Sequence, residues 1–350
     1  GAFKLQLQGR GDMKTCSQIV TLTGLRPSTA YEYVTTFKPG GSLLAMLYTS
    51  ATASTTRQGS FQTTVEKGQQ KPFTFVTSSC LLNIDMIDMQ PLMSLMGADL
   101  FLLIGDAVYA DFPWSFFRKY ETIYLTLIRD PFFAMLSLHT PVLAMYDDHE
   151  ICNNWNSGTK QPYPDAIGNW SWFLGSRNPP LKKPDDVETK EGITMGAVGG
   201  DWEQEHYFPH QVGDVSFFVL DVRRYRDGKT LLGPAQLAEL RQWLREGGES
   251  AATEESTTER SGAQVRLKVV VSPVPMTRNI GEEKGAVGTD GWEWFPDEKQ
   301  AVLQWMREWG KAVLVLSGDM HWSGVFEIAP RVIEASVSPL HMLPLPQWAT

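Results

Sequence analysis

Leu100-Phe101-Leu102-Leu103-Ile104-Gly105-Asp106-Ala107-Val108-Tyr109 passes from five apolar residues straight into a glycine, a carboxylate and a phenol. A short uninterrupted apolar run bounded by glycine reads as a strand buried on both faces. The polar residues then fall in the loop beyond its carboxyl end, where ligands gather in α/β proteins. Three other segments repeat the arrangement. Phe73 to Val76 runs into Ser78-Ser79-Cys80, and Val142 to Met145 into Asp147-Asp148-His149-Glu150. Val313 to Leu316 runs into Ser317-Gly318-Asp319-Met320-His321. Cys, Asp, Tyr and His are the side chains that bind metal ions, so four such strand ends in one chain point to a metal-dependent hydrolase.

Working outward, the α/β pattern begins at about residue 71, with strands expected over 73–78, 100–104, 142–146, 215–221, 267–272 and 313–317. Helical spacing predicts helices over 85–96, 115–138, 234–246 and 297–309. Residues 155–205 are rich in Trp, Gly, Pro and Asn and read as a long irregular insertion beside the candidate site, a usual place for substrate contacts. Residues 247–264 carry almost no apolar side chains and read as a flexible surface loop. Residues 1–68 differ in character. Gln18 to Leu22 and Ala30 to Thr36 alternate as strands around the turn Leu25-Arg26-Pro27-Ser28-Thr29. Gln62 to Gln70 reads as a polar linker.

The chain has 350 residues, 42% of them hydrophobic and 20% charged, and a net charge of −9. That fits a large apolar core and argues against specific nucleic-acid binding, since no basic stripe stands out. Three cysteines (Cys16, Cys80 and Cys152) imply no disulfide framework. No apolar run reaches the roughly 18 residues of a membrane span. No Walker loop, Gly-x-Gly-x-x-Gly fingerprint or Gly-x-Ser-x-Gly elbow is present.

Each cluster has a bland reading beside the chemical one. Asp106 can bridge two cations and Tyr109 can bind a hard trivalent ion, or the two can form a turn with a packed Tyr. Cys80 is a thiolate ligand or a small buried filler. Asp147 and Asp148 after so apolar a strand need compensating cations or donors, and His149 beside them can act as ligand or proton donor. Asn153 and Asn154 can add amide oxygens. Asp319 and His321 face one site or serve as a cap and a packed ring. Arg223, after the strand ending at Leu220, grips phosphate or pairs with Asp221.

Taken together, Ser78-Ser79-Cys80, Gly105-Asp106-x-x-Tyr109-Ala110-Asp111, Asp147-Asp148-His149-Glu150 with Asn153-Asn154-Trp155, Asp221-x-Arg223-x-Tyr225-Arg226 and Ser317-Gly318-Asp319-x-His321 resemble the alkaline phosphatase D (PhoD-like) metallophosphatases. The resemblance spans about residues 71–340 and keeps the family's motif order. Leu22 to Tyr33 also resembles the Gly-Leu-x-Pro-x-Thr-x-Tyr turn of fibronectin type III-like β-sandwiches, which such enzymes carry ahead of the catalytic part.

The resemblance implies an α/β fold: a metallophosphoesterase-type two-sheet β-sandwich core flanked by helices. It places this core in residues 69–350, behind a partial fibronectin III-like domain in 1–68. It implies Fe(III) held by Cys80, Asp106, Tyr109 and His321, and a Ca(II) ion held by Asp106, Asp148 and Asp319, with Asn153 as a further ligand. His149 then stabilises the transition state or protonates the leaving group, and Arg223 contacts phosphate. The substrate is a phosphate monoester or diester; the alternative is a metal-poor, non-catalytic relative that binds phosphorylated ligands. Secretion or an endomembrane or extracellular location is expected from the family and from the sequon Asn169-Trp170-Ser171, with a leader ahead of Gly1. Two departures stand out. Ala107 occupies a position that is more often polar, removing a contact beside the bridge. Val269 to Pro275 lacks the family's His, leaving the second ion short of a ligand.

Overall fold

The apolar runs form the strands of two sheets in a computed structural model that describes residues 20–22, 24–37, 55–81, 97–111, 119–179, 193–195, 201–246, 265–277 and 291–339. Along the chain come β1 (Val20–Leu22), β2 (Ala30–Phe37), β3 (Thr55–Gln62), β4 (Phe75–Ser78) and β5 (Leu100–Ile104). They are followed by α1 (Tyr120–Arg129), α2 (Pro131–His139), β6 (Val142–Met145), α3 (Tyr163–Phe173), β7 (Ile193–Met195), β8 (Phe208–Val212) and β9 (Val215–Val219). The remainder comprises α4 (Gly233–Arg245), β10 (Leu267–Ser272), α5 (Pro296–Glu308), β11 (Val313–Ser317), β12 (Ser323–Ala329) and β13 (Val332–Val337).

One sheet has six strands in the order β12-β13-β11-β10-β9-β8, the other three in the order β4-β5-β6. The inner strands are parallel; β12 and β8 close the larger sheet antiparallel. Period-two alternation explains why the runs are apolar throughout. Phe217, Val219, Val269, Val271 and Leu316 enter the core shared with the small sheet. Their neighbours Phe218, Leu220, Val270, Val313 and Val315 point the other way, onto Leu240, Trp243 and Leu244 of α4 and Val302 and Met306 of α5. Helices α1 to α3 add Tyr124, Leu127, Phe133, Leu136, Ile167 and Trp170 to the shared core. The layers therefore run helix, sheet, sheet, helix, a mixed α/β fold of the two-sheet kind.

Several expectations need correction. The helix over 115–138 is two helices, because Asp130-Pro131 breaks it. Pro131 cannot continue α1, and Asp130 Oδ1 instead accepts the N–H of Phe132 and of Phe133, each at 2.9 Å, to cap α2. The supposedly irregular insertion contains α3, whose buried face is Tyr163, Ala166, Ile167, Trp170 and Phe173. Its prolines sit at the start of the helix, where they are tolerated. The sequon lies inside this helix with Trp170 and Ser171 fully buried. The linker over 62–70 is docked: Gly68 N–H donates to Gly213 O at 2.7 Å, Gly213 N–H to Val65 O at 3.3 Å, and Val65 is buried.

At the N-terminal end, β2 and β3 form a two-stranded antiparallel sheet and β1 pairs with β7. The hairpin leans on α2, where Ser60 Oγ lies 3.0 Å from His139 Nδ1. Among the described residues this end of the chain holds a hairpin and the short β1–β7 pair. The helix over 85–96 and the loop over 247–264 fall outside the described residues. No helix among the described residues is long and apolar enough to cross a membrane.

Candidate metal centre

The carboxyl ends of β4, β5, β6 and β11 converge, and their loops are stitched backbone to backbone. Cys80 N–H donates to Gly105 O, Leu81 N–H to Asp106 O, Ala110 N–H to His149 O and Gly318 N–H to Pro273 O. Two glycines permit the approach. A Cβ at Gly105 would stand 2.6 Å from that of Asp147, and one at Gly318 would stand 2.6 Å from Ser79 Oγ. Among the described residues seven non-glycine residues have positive φ, and Cys80, Asp106, Asp319 and His321 are four of them. That conformation costs energy for any L-residue with a Cβ and clusters at functional sites, where the surrounding structure imposes it.

Among the described residues, ligand-type atoms lie within 4.8 Å of one another in three groups: Cys80 with Asp106 and His321; Asp106 with Asp148 and His149; and Asp106 with Asp147, Asp148 and Asp319. Asp106 belongs to all three. The Tyr109 hydroxyl lies 3.4 Å from Asp106 Oδ2 and 3.0 Å from His321 Nε2, so it joins the first group. Cys80 Sγ is 3.4 Å from Asp106 Oδ2 and receives a hydrogen bond from Ser338 Oγ at 2.9 Å. His149 Nδ1 donates to Asp111 Oδ1 at 2.8 Å, leaving Nε2 as the ring nitrogen for proton transfer, and its ring lies 4.2 Å from that of Tyr109.

Burial dominates the electrostatics. It pushes Asp106 well above the usual carboxylate range, with Asp148, Asp147 and Glu150 adding to the rise, and it pushes the Cys80 thiol and Tyr109 phenol up as well. For His149, burial alone would lower the pKa, but Asp148, Asp106 and Asp111 outweigh it and hold it at about 10. Burial also opposes the charge on Asp148, where His149, Arg223 and the Asn154 N–H win and keep it low. His321 is pushed down to about 4 by burial and by His149.

The donor set fits metal ions. Asp106, Asp147 and Asp148 are each 1% exposed, with Asp319 beside them, a concentration of negative charge that is costly to bury without cations. A thiol, phenol, imidazole and carboxylate suit iron; a purely carboxylate group suits a hard ion such as calcium.

The structure brings together Cys80, Asp106, Tyr109, Asp148, His149, Asp319 and His321. Asn153 is not in these groups; it is exposed, and its backbone N–H donates to Asp111 Oδ2 at 2.6 Å. Arg223 is fully buried, with Nε on Asp147 Oδ1 and Nη2 3.5 Å from Asp148 Oδ1.

Asp147 and Glu150 stand in the quoted Asp-Asp-His-Glu run without a role read for either. Asp147 joins the second carboxylate group, which is where a missing ligand was expected. Glu150 is fully buried and accepts three backbone N–H groups. Their signal is the cluster of acids around His149 after an apolar strand, but which acid faces a metal depends on the loop's path. At the strand end lacking His, Ser272 Oγ accepts from Trp292 Nε1 at 3.0 Å. Ala107 is fully buried in the shared core and donates its N–H to Glu150 Oε1 at 2.6 Å. Among the described residues Cys80 and Cys152 are free thiols.

The model of the family described as PhoD-like phosphatase matches residues 89–342. The structure of PhoD is similar with a TM-score of 0.62 at 18% identity, over 89% of this chain and 62% of that one. A purple acid phosphatase from yellow lupin (Lupinus luteus) seeds is similar with a TM-score of 0.53 at 13% identity, over 93% of this chain and 53% of that one. This chain thus spans 62% and 53% of the lengths of these two chains. At such identities the likeness is one of fold. No curated protein sequence matches the chain.

Proposed function

We propose a reaction for this site on one premise: the chain belongs to the PhoD-like phosphatase family. The reaction is hydrolysis of a phosphate monoester or diester at a two-ion centre. The observation that carries it is Asp106, shared by a group containing thiol and imidazole and by a group of carboxylates, the ligand atoms of each group lying within 4.8 Å of one another. Fe(III) is assigned to Cys80, Asp106, Tyr109 and His321. Ca(II) is assigned to Asp106, Asp148 and Asp319, with Asp147 in place of Asn153. Ions held by these residues would supply activation of a water and neutralisation of charge on the phosphoryl oxygens.

The chain's own residues do the rest. In the reaction a P–O bond to the water oxygen forms, the ester P–O bond breaks, and the leaving oxygen takes a proton. His149 is the group placed to give it, because Asp111 fixes Nδ1 and leaves Nε2 for the transfer. Arg223 is assigned to holding Asp147 and Asp148 in place. The division into a β domain over 1–68 and a catalytic domain over 69–350, and a secreted or endomembrane location, belong to the same reading.

Elemental analysis of purified protein beside aryl mono- and diester assays tests the function. About two ions per chain with turnover is expected, and the relative rates assign monoester or diester. Stoichiometric metal without hydrolysis across pH and added calcium would leave only a non-catalytic binder of phosphorylated ligands. Asp111→Asn is expected to lower kcat by about 10²-fold with metal content unchanged; an unchanged kcat removes His149 as the proton donor.

A further inference from the structure

Glu150 sits where the two halves of this centre meet, yet it is not among the grouped ligand atoms. Its carboxylate is fully buried. Oε2 accepts the N–H of Asp106 at 3.0 Å and the N–H of Asp147 at 2.8 Å. Oε1 accepts the N–H of Ala107 at 2.6 Å. Asp106 and Ala107 belong to the loop after β5, and Asp147 to the loop after β6. A single oxygen atom therefore holds the backbone of the bridging carboxylate and the backbone that introduces the Asp147-Asp148 pair.

The surroundings make this attachment decisive. Asp106 has φ of 54°, a conformation its own sequence does not favour. Gly105 ahead of it has φ of 102° and leaves no room for a Cβ against Asp147. Beyond β5 and β6 the two loops meet backbone to backbone at Ala110 N–H to His149 O, and the Glu150 carboxylate ties them at the strand ends themselves. A buried carboxylate with three backbone donors has little freedom to move.

We propose that Glu150 is a positioning residue that sets the separation of the two ions, by fixing the Asp106 loop against the Asp147-Asp148 loop from a single carboxylate. This rests on the two-ion reading above. Neither close substitute reproduces the clamp. Gln offers one acceptor oxygen for three donors and turns an NH2 group against a backbone N–H in either orientation. Asp is one methylene too short to reach both loops.

The test is Mn(II) loading of the full chain, read by electron paramagnetic resonance and by binding stoichiometry. Wild type is expected to hold two ions with an exchange-coupled signal. In Glu150→Gln and Glu150→Asp the second Mn(II) is expected to bind roughly 10- to 100-fold more weakly, with the coupled signal replaced by that of isolated ions. Glu298→Gln is the control. Glu298 accepts Leu231 N–H at 3.0 Å and Leu232 N–H at 3.2 Å, away from the site, so its loss should lower the melting temperature and leave the coupling intact. A wild-type coupled signal in either folded Glu150 variant overturns the proposal, and so does uncoupling in Glu298→Gln. Absence of a coupled pair in wild type overturns the two-ion reading itself.

Discussion

At the start of β10 the chain buries a cation; beyond the carboxyl ends of the parallel strands it buries anions. Lys268 is 1% exposed, yet its Nζ donates to the carbonyls of Trp243 and Glu246 and lies 4.8 and 5.0 Å from the ring centroids of Trp243 and Trp309. Burial still pushes its pKa down to about 7. At the other end, Asp106, Asp147 and Asp148 face one another with Arg223 and His149 as neighbouring positive groups. The lysine end closes itself with carbonyls and ring faces, and can shed its proton. The acidic end gathers more negative charge than its own side chains offset. A group satisfied from within is architecture, and a group that needs charge from outside is a binding site.

Asp106→Asn strikes the acidic end hardest. Losing the shared carboxylate should lower kcat/KM for an aryl phosphate by about 10³-fold or more, roughly 4 kcal/mol of transition-state stabilisation, with metal content falling in parallel. Undiminished turnover would make the contrast with Lys268 accidental. Next in size is the effect of a chelator on wild type. Ions present at a thousand times their Kd contribute about 4 kcal/mol to folding, so their removal should lower Tm by several degrees. The same chelator should leave the Tm of Asp106→Asn nearly unmoved, as differential scanning calorimetry can check.

Cys80→Ala should lose the thiol-side ion while keeping the carboxylate-side one, so elemental analysis should show roughly half the wild-type metal. Retained iron would remove Cys80 from the centre. The smallest effect belongs to the lysine end. Its folded pKa of about 7 lies below the ordinary lysine value of 10.5. Between those values the unfolded chain binds the extra proton, so stability should rise as pH rises from about 7 towards 10.5. In Lys268→Met that part of the pH dependence should disappear. An identical pH profile in metal-saturated protein would show that the carbonyls and rings keep Lys268 charged.

The strands were legible because an apolar run bounded by glycine and polar residues has few other places to go. Leu100–Ile104, Leu267–Ser272 and Val313–Ser317 keep the limits read from sequence. Helix α3 was not legible, since Pro162, Pro164 and Gly168 read as breakers, while in three dimensions Trp170 and Tyr163 pack into the core and carry the helix past them. The site was legible as residue types at strand ends. For Arg223 the sequence leaves phosphate and carboxylate open, because a guanidinium suits both, and only the fold sets it against Asp147. The exposed position of Asn153 follows from the loop's direction after Asp148, which is not written in its composition.

The sequence by itself determined the buried strands and the kinds of donor at their ends, since both follow from local polarity and side-chain chemistry. Tertiary structure alone decided which donors share an ion-sized space, that Asp106 belongs to every group, and that Glu150 holds two loops with one carboxylate. Those facts depend on pairing residues tens to hundreds of positions apart, and on left-handed backbone turns at Cys80, Asp106, Asp319 and His321, a conformation uncommon for residues with a Cβ.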